Sequence, residues 1–188
     1  MAITINGTGS ITGLTAGGLP DGSVTAADLA AGAGGKILQV KQVYKQDTFT
    51  TISTSFTDVT GLSVAITPAS ADNHILVCAY FVLANTNTSS NYYSAARLMR
   101  DSTQVFNGTA SGSRLAATVY SNQSDDTIAY VTGFTYRDSP ATTDEVTYKI
   151  QIKSENNGTA CIGRTPQDAD TSNHPRMPAN IVVMEVAG

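Results

Sequence analysis

The strongest constraint on this chain is the stretch His74-Ile75-Leu76-Val77-Cys78-Ala79-Tyr80-Phe81-Val82-Leu83, whose last nine residues are all apolar or aromatic. A run this short, rich in Val, Ile, Tyr and Phe and flanked by polar segments, predicts a buried strand in preference to a helix. On a strand, Leu76, Cys78, Tyr80 and Val82 share one face while Ile75, Val77, Ala79, Phe81 and Leu83 share the other. Both faces are apolar. A two-sheet sandwich buries only one face of each sheet, so the second face of this strand needs a cover of its own.

Around that run the pattern is strand after strand. β-Branched and aromatic residues alternating with polar ones predict strands at 36–44, 49–59, 62–67, 74–83, 94–100, 104–106, 114–120, 127–137, 145–153, 159–163 and 180–186. In 146–153, Val146, Tyr148, Ile150 and Ile152 face one side while Thr147, Lys149, Gln151 and Lys153 face the other, the signature of a half-exposed antiparallel strand. Residues 138–144, Asp-Ser-Pro-Ala-Thr-Thr-Asp, read as a hairpin connection between 127–137 and that strand. With Gly, Asn, Ser and Pro clusters between strands and no long helical pattern, the expected fold is all-β, an antiparallel, jelly-roll-like β-sandwich. The absence of Trp speaks against an immunoglobulin domain. Loops are expected at 85–92, 107–113, 121–126 and 164–179; the last is long enough to suggest a job or burial against a partner.

Residues 1–35 differ in kind: rich in Gly, Ala and Thr, with no aromatic residue and no Lys or Arg, they cannot build a core alone. Two pieces, 2–7 and 10–14, alternate apolar and polar residues and end near Gly, as short extended segments do. Leu19-Pro20-Asp21-Gly22 is a turn signal, and Thr25-Ala26-Ala27-Asp28 resembles a capping box. The division is an extended Gly/Thr/Ala-rich N-terminal arm, 1–35, followed by a sandwich domain, 36–188. The arm is either a disordered leader or a docking and trimerising segment, in which Ile3, Ile5, Ile11, Leu14, Leu19 and Leu29 are the docking candidates.

Charge bounds the partners. A net charge of −4 with only 14% charged residues offers no basic face for nucleic acid or an anionic membrane. No stretch approaches the ~18 apolar residues of a membrane span, and the first ten residues lack a signal peptide's plan, so synthesis and assembly in a cytoplasm are expected. Cys78 and Cys161 lack metal-site spacing and read as buried free thiols. Neither paired carboxylates, a Ser/His/Asp arrangement nor a phosphate-binding loop is legible, so no catalytic residue, cofactor or metal is expected. Asp168 to His174 resembles a calcium loop only superficially, because the sixth-position Gly and twelfth-position acid are missing. The residue types suited to glycan contact are Tyr92 and Tyr93, after an Asn/Thr/Ser-rich loop, and Tyr120 with Asn122; the competing reading has these tyrosines covering a core edge.

Several phrases, Leu19-Pro20-Asp21-Gly22-Ser23-Val24-Thr25, Gly35-Lys36-Ile37-Leu38-Gln39-Val40, Gly61-Leu62-Ser63-Val64-Ala65-Ile66-Thr67-Pro68, Asp138-Ser139-Pro140-Ala141-Thr142 and Val183-Met184-Glu185-Val186, together resemble fibre-type virion surface proteins of tailed bacteriophages, of the marine and cyanobacterial kind. The resemblance implies a structural protein of the particle surface, assembled in the bacterial host, trimeric, attached to other virion proteins through its arm and carrying a distal β domain. A tail fibre or spike meeting a host surface glycan, a capsid decoration or cement protein, and a carbohydrate-degrading depolymerase are the functions to separate. No repeat of 20–50 residues is visible, which disfavours the last. In a trimer, Ile75, Val77, Phe81 and Leu83 are candidates for the interface around the axis if Leu76, Cys78, Tyr80 and Val82 fill the sandwich, or the two faces are swapped.

Overall fold

The computed structural model describes residues 4–5, 11–12, 36–86, 93–122, 127–155 and 158–188. The chain divides into two compact units, Met1–Lys36 and Ile37–Gly188. In the first, β1 (Thr4–Ile5) pairs antiparallel with β2 (Ile11–Thr12), setting Ile5 opposite Ile11.

The second unit is an antiparallel sandwich. Sheet one holds β3 (Ile37–Lys45), β13 (Ala179–Val186), β6 (His74–Asn85) and β10 (Tyr130–Asp138) side by side, with β12 (Ala160–Ile162) and β4 (Phe49–Thr51) continuing from the far end of β6. Sheet two holds β5 (Thr57–Ile66), β11 (Val146–Ser154) and β7 (Tyr93–Arg100), whose free edge is shared by β8 (Thr103–Phe106) and β9 (Val119–Asn122). The pairs are nested: β3 with β13, β5 with β11, β6 with β10, and β7 with β8 and β9. One long hairpin folded over on itself produces that order, which is the jelly roll expected above.

The run at 74–83 lies centrally in sheet one, between β13 and β10. Its Ile75, Val77, Phe81 and Leu83 are fully buried against Leu98, Tyr148, Ile150 and Ile152 of sheet two. The four are therefore core residues of a single chain and not an interface surface, because only this face meets the second sheet. The faces are the swapped ones: Leu76, Cys78 and Tyr80 point outward, Tyr80 half-exposed. Cys78 is correspondingly half-buried, in correction of the expected buried thiol, while Cys161 is buried.

Several strand expectations change. The break expected at Thr60-Gly61 is an irregularity inside β5, where Gly61 takes φ +79° and the register against β11 shifts. The real break is at 52–56, where the Ser55 amide donates to Ser53 Oγ at 3.0 Å and Ser53 Oγ to the Ser55 carbonyl at 2.7 Å, hydroxyl bonds that compete with a ladder. Residues 138–144 are not a hairpin turn; they cross between sheets, since β10 is taken up by β6 and β11 by β5 and β7. Residues 114–118 are not strand, because β8 already occupies the end of the β7 edge they would need.

The two outer faces differ in chemistry. Sheet two presents a polar lattice: Arg97 Nε donates to Gln151 Oε1 at 2.7 Å, Lys149 Nζ to Asp58 Oδ2 at 2.8 Å, and the Arg97 guanidinium lies 4.2 Å over the Phe56 ring. Sheet one presents Val40, Gln42 and Tyr44 from β3, Asn180, Val182 and Met184 from β13, Leu76, Cys78 and Tyr80 from β6, and Val131 and Thr135 from β10, a face more apolar than polar. Among the described residues, Arg137 is the one formal charge that these four strands turn outward. At one end of this face the segment 164–179 supplies a cover. Cys161 there is fully buried, close enough to Arg164 and Asp168 to feel both charges. The segment is itself tied down by Arg176, which grips Asp168 through Nε at 3.0 Å and Nη2 at 2.8 Å, and by a 3.0 Å contact between Thr165 Oγ1 and His174 Nδ1.

Candidate functional site

The candidate site forms where β7 and β9 meet at the edge of sheet two. Tyr93 opposes Asn122 and Ala95 opposes Tyr120, so Tyr93, Tyr120 and Asn122 share one face with the two tyrosines diagonal to each other. Their ring centroids lie 5.0 Å apart at 41°, a tilted aromatic pair. Tyr120 keeps 56% of its surface exposed, too much for a residue that merely seals a core.

Two hollows adjoin Tyr120. One, of about 490 Å³, is walled by Tyr93, Tyr120, Arg114, Leu115 and Thr118. The other, of about 370 Å³, lies between Tyr120, Ser121 and Asn122 of β9 and Tyr130, Val131 and Thr132 of β10. The wall at 114–118 is held by Thr118, whose amide donates to the Ala96 carbonyl at 2.9 Å and whose hydroxyl accepts the Leu98 amide at 3.0 Å and donates to the Phe106 carbonyl. Ser121, on the wall of the second hollow, has the one buried side-chain oxygen among the described residues that lacks a hydrogen-bond partner. That oxygen lies on the buried side of β9, opposite the fully buried Ser94, and not on the face that carries Tyr120 and Asn122.

Electrostatics keep the site in hydrogen-bonding form. Partial burial, then the Glu155 carboxylate and the Tyr120 phenol, push the Tyr93 phenol above its ordinary value, so it remains a neutral donor through the physiological range. Glu155 is engaged by Lys153 in an ion pair. Aromatic faces with neighbouring hydroxyl, amide and guanidinium groups suit a polyol ring: apolar C–H faces stack and the hydroxyls bond.

Of the four predicted contact residues, the structure brings Tyr93, Tyr120 and Asn122 together; Tyr92 lies outside the described residues. Sequence reasoning missed Tyr130, Arg114 and Leu115. Tyr130 comes from the other sheet, and only the closeness of β9 and β10 in the chain hints at its approach. Of the arm candidates, Ile5 and Ile11 lie in the paired β1 and β2, and Ile3, Leu14, Leu19 and Leu29 lie outside the described residues. Among the described residues no group of three or more His, Cys, Asp or Glu could hold a metal ion. His74 instead meets Ser139 Oγ at 2.9 Å through Nδ1, a contact at the sheet crossing.

Strand order and site together define a jelly-roll sandwich with a tyrosine-walled hollow at its edge, an architecture that serves shell-forming, sugar-binding and enzymatic proteins alike. No protein-family model matches the chain, and no curated protein matches it. Among solved structures it is similar to that of infectious bursal disease virus, Gt strain, at TM-score 0.41 and 13% identity over 80% of this chain and 38% of that one. The Gx strain of the same virus gives TM-score 0.38 and 12% identity over 79% and 38%. The chain thus spans less than two fifths of either, and likenesses this distant assign no function.

Proposed function

We propose that the chain is a non-catalytic surface protein of a bacteriophage particle, a homotrimeric short fibre or spike whose arm docks on other virion proteins and whose sandwich meets a host surface glycan. The observation that carries the binding role is the Tyr93–Tyr120 pair, Tyr93 half-buried and Tyr120 exposed, with Tyr120 set between two hollows. The resemblance of several sequence phrases to phage fibre-type proteins supports the setting. Titrating the purified chain with host surface polysaccharide tests the first part: Tyr120→Ala should weaken binding about tenfold, on the order of 1.4 kcal/mol. Equal affinity of variant and parent would refute the site. Antibody labelling of intact particles in the electron microscope tests the second, with label expected at the tail.

One observation favours a second reading. A broad apolar sheet face is also what a cement protein lying on a capsid would present. That reading predicts label over the head, and particles lacking the protein that adsorb normally yet release DNA on heating.

A further inference from the structure

We infer that the glycan bound at this edge carries carboxylate groups, and that Arg97 and Arg114, beside the tyrosine pair, are the residues that receive them. This rests on the glycan reading above and names its class of ligand. The register of β7 is the first argument. Ala95 opposes Tyr120 on β9 and Lys153 on β11, with Tyr93 and Arg97 two residues away along its own strand, so this small side chain is ringed by two tyrosines and two cations on one face. Ala95 itself is fully buried, closed over by its neighbours. Arg97 and Tyr120 are diagonal neighbours, at the ~7–8 Å that such positions keep across an antiparallel pair, so an aromatic face and a guanidinium adjoin.

The state of Arg97 is the second. Among the described residues it has no carboxylate within ion-pair distance. Nε donates to Gln151 Oε1 at 2.7 Å and Nη1 to Gln104 Oε1 at 3.3 Å, both neutral amides, while the Phe56 ring backs the guanidinium at 4.2 Å. These bonds use two of the five N–H donors and hold the fork in place. Asp58 is near enough to act on its charge but is itself held by Lys149 Nζ at 2.8 Å and Gln151 Nε2 at 2.5 Å, and Glu155 is taken by Lys153. A guanidinium positioned by neutral groups keeps its charge and paired donors for an incoming carboxylate.

Charge balance is the third. The chain carries −4 overall, so an anionic ligand needs a local exception. Around the tyrosine pair Arg97, Lys153 and Arg114 stand against Glu155 among the described residues, three cations to one acid. Arg114 walls the hollow that Tyr93 and Tyr120 share, and among the described residues it forms no ion pair, its Nη1 reaching Ser111 Oγ at 3.4 Å. A neutral sugar is served by the tyrosines and nearby hydroxyls and gains nothing from these charges, whereas a carboxylated one gains a charge-assisted bond. The excess is too small to hold nucleic acid through its phosphates, which takes many such contacts.

The test titrates the full chain with host surface polysaccharide and with polygalacturonate, each before and after its carboxyl groups are reduced to alcohols. Parent, Arg97→Gln, Arg114→Gln and, as a charge-matched control, Lys149→Gln are compared. Melting curves check that Arg97→Gln folds, and Arg114, being exposed, supplies a variant that folding does not depend on. We expect reduction to weaken binding by the parent at least about tenfold, and each arginine variant to lose about tenfold on the unreduced polymers alone, while Lys149→Gln stays close to the parent. Affinity for the unreduced polymers should also fall as salt rises. Binding that survives carboxyl reduction in both polymers, or a loss in Lys149→Gln as large as in Arg97→Gln, overturns the carboxylate assignment; a loss in Tyr120→Ala in the same titrations then leaves the glycan reading standing. No binding to any of the four preparations overturns both.

Discussion

The phenol of Tyr148 donates to Asp138 Oδ2 at 2.7 Å, joining sheet two to sheet one at the two ends of the connection that crosses between them. Tyr148 is fully buried and Asp138 nearly so, and Arg100 Nη1 reaches the same oxygen at 2.7 Å. Burial, then the bond to Asp138, holds the Tyr148 phenol far above the ordinary tyrosine range, so it stays a donor at any working pH.

Asp138→Ala should therefore cost about 1–3 kcal/mol, leaving the Tyr148 hydroxyl buried without its acceptor, and Tyr148→Phe about 1 kcal/mol. Urea unfolding of the two variants reads the difference. A loss for Asp138→Ala no larger than that for Tyr148→Phe would mean that the crossing is held by packing alone.

Glu185 gives the fold an acid limit. Its buried carboxylate accepts the Ala69 amide, Asn73 Nδ2 and Gln39 Nε2, each at 2.6 Å, and so anchors the 67–73 turn to β13. Burial alone would raise its pKa, but the bonds from Gln39, Asn73 and the Ala69 and Ser70 backbone outweigh it and hold it below the ordinary glutamate value. A depressed folded pKa means stability present in full above the unfolded value of ~4.3 and lost as pH falls through the folded one. The melting temperature should stay level from neutral pH to about 5 and drop below about 4. Glu185→Gln should melt lower at pH 7 and show a shallower acid decline; an unchanged decline would place the acid sensitivity elsewhere.

Gly158 lies against a buried amide. A Cβ there would stand 2.2 Å from Asn85 Oδ1, while Asn85 Nδ2 is spent on the Tyr93 carbonyl at 3.1 Å and Ser154 Oγ at 3.2 Å. Gly158→Ala should cost about 1–3 kcal/mol through this overlap. For a chain of this size that is a fall of roughly 3–10 °C in Tm, and a change under about 1 °C would show that the amide yields freely.

Cys161 should resist alkylation until the chain unfolds. Burial pushes its thiol up to about 11, leaving little thiolate at pH 8 whatever the assembly state. Mass spectrometry after iodoacetamide treatment in native buffer reads this directly, and rapid native labelling of Cys161 would mean that the 164–179 segment opens.

The sandwich itself was legible because burial on one face leaves a period of two, as 146–153 shows: Val146, Tyr148, Ile150 and Ile152 are buried and the residues between them half-exposed. The tyrosine site was partly legible, since Tyr93, Tyr120 and Asn122 border polar loops. Its second wall was not, because Tyr130 belongs to the opposite sheet and only the nearness of β9 and β10 in the chain hints at that approach.

What the sequence determined by itself is local: which segments are extended, which residues alternate, and that 74–83 is apolar on both sides. The tertiary structure decided which side faces in. Alternation is symmetric, so Ile75 and Leu76 were equivalent candidates for the core until β10 and β13 flanked the strand and sheet two closed over one face. The same closure turned 138–144 from a hairpin into a crossing, for pairing partners are chosen by nested long-range ladders and not by the turn between neighbours.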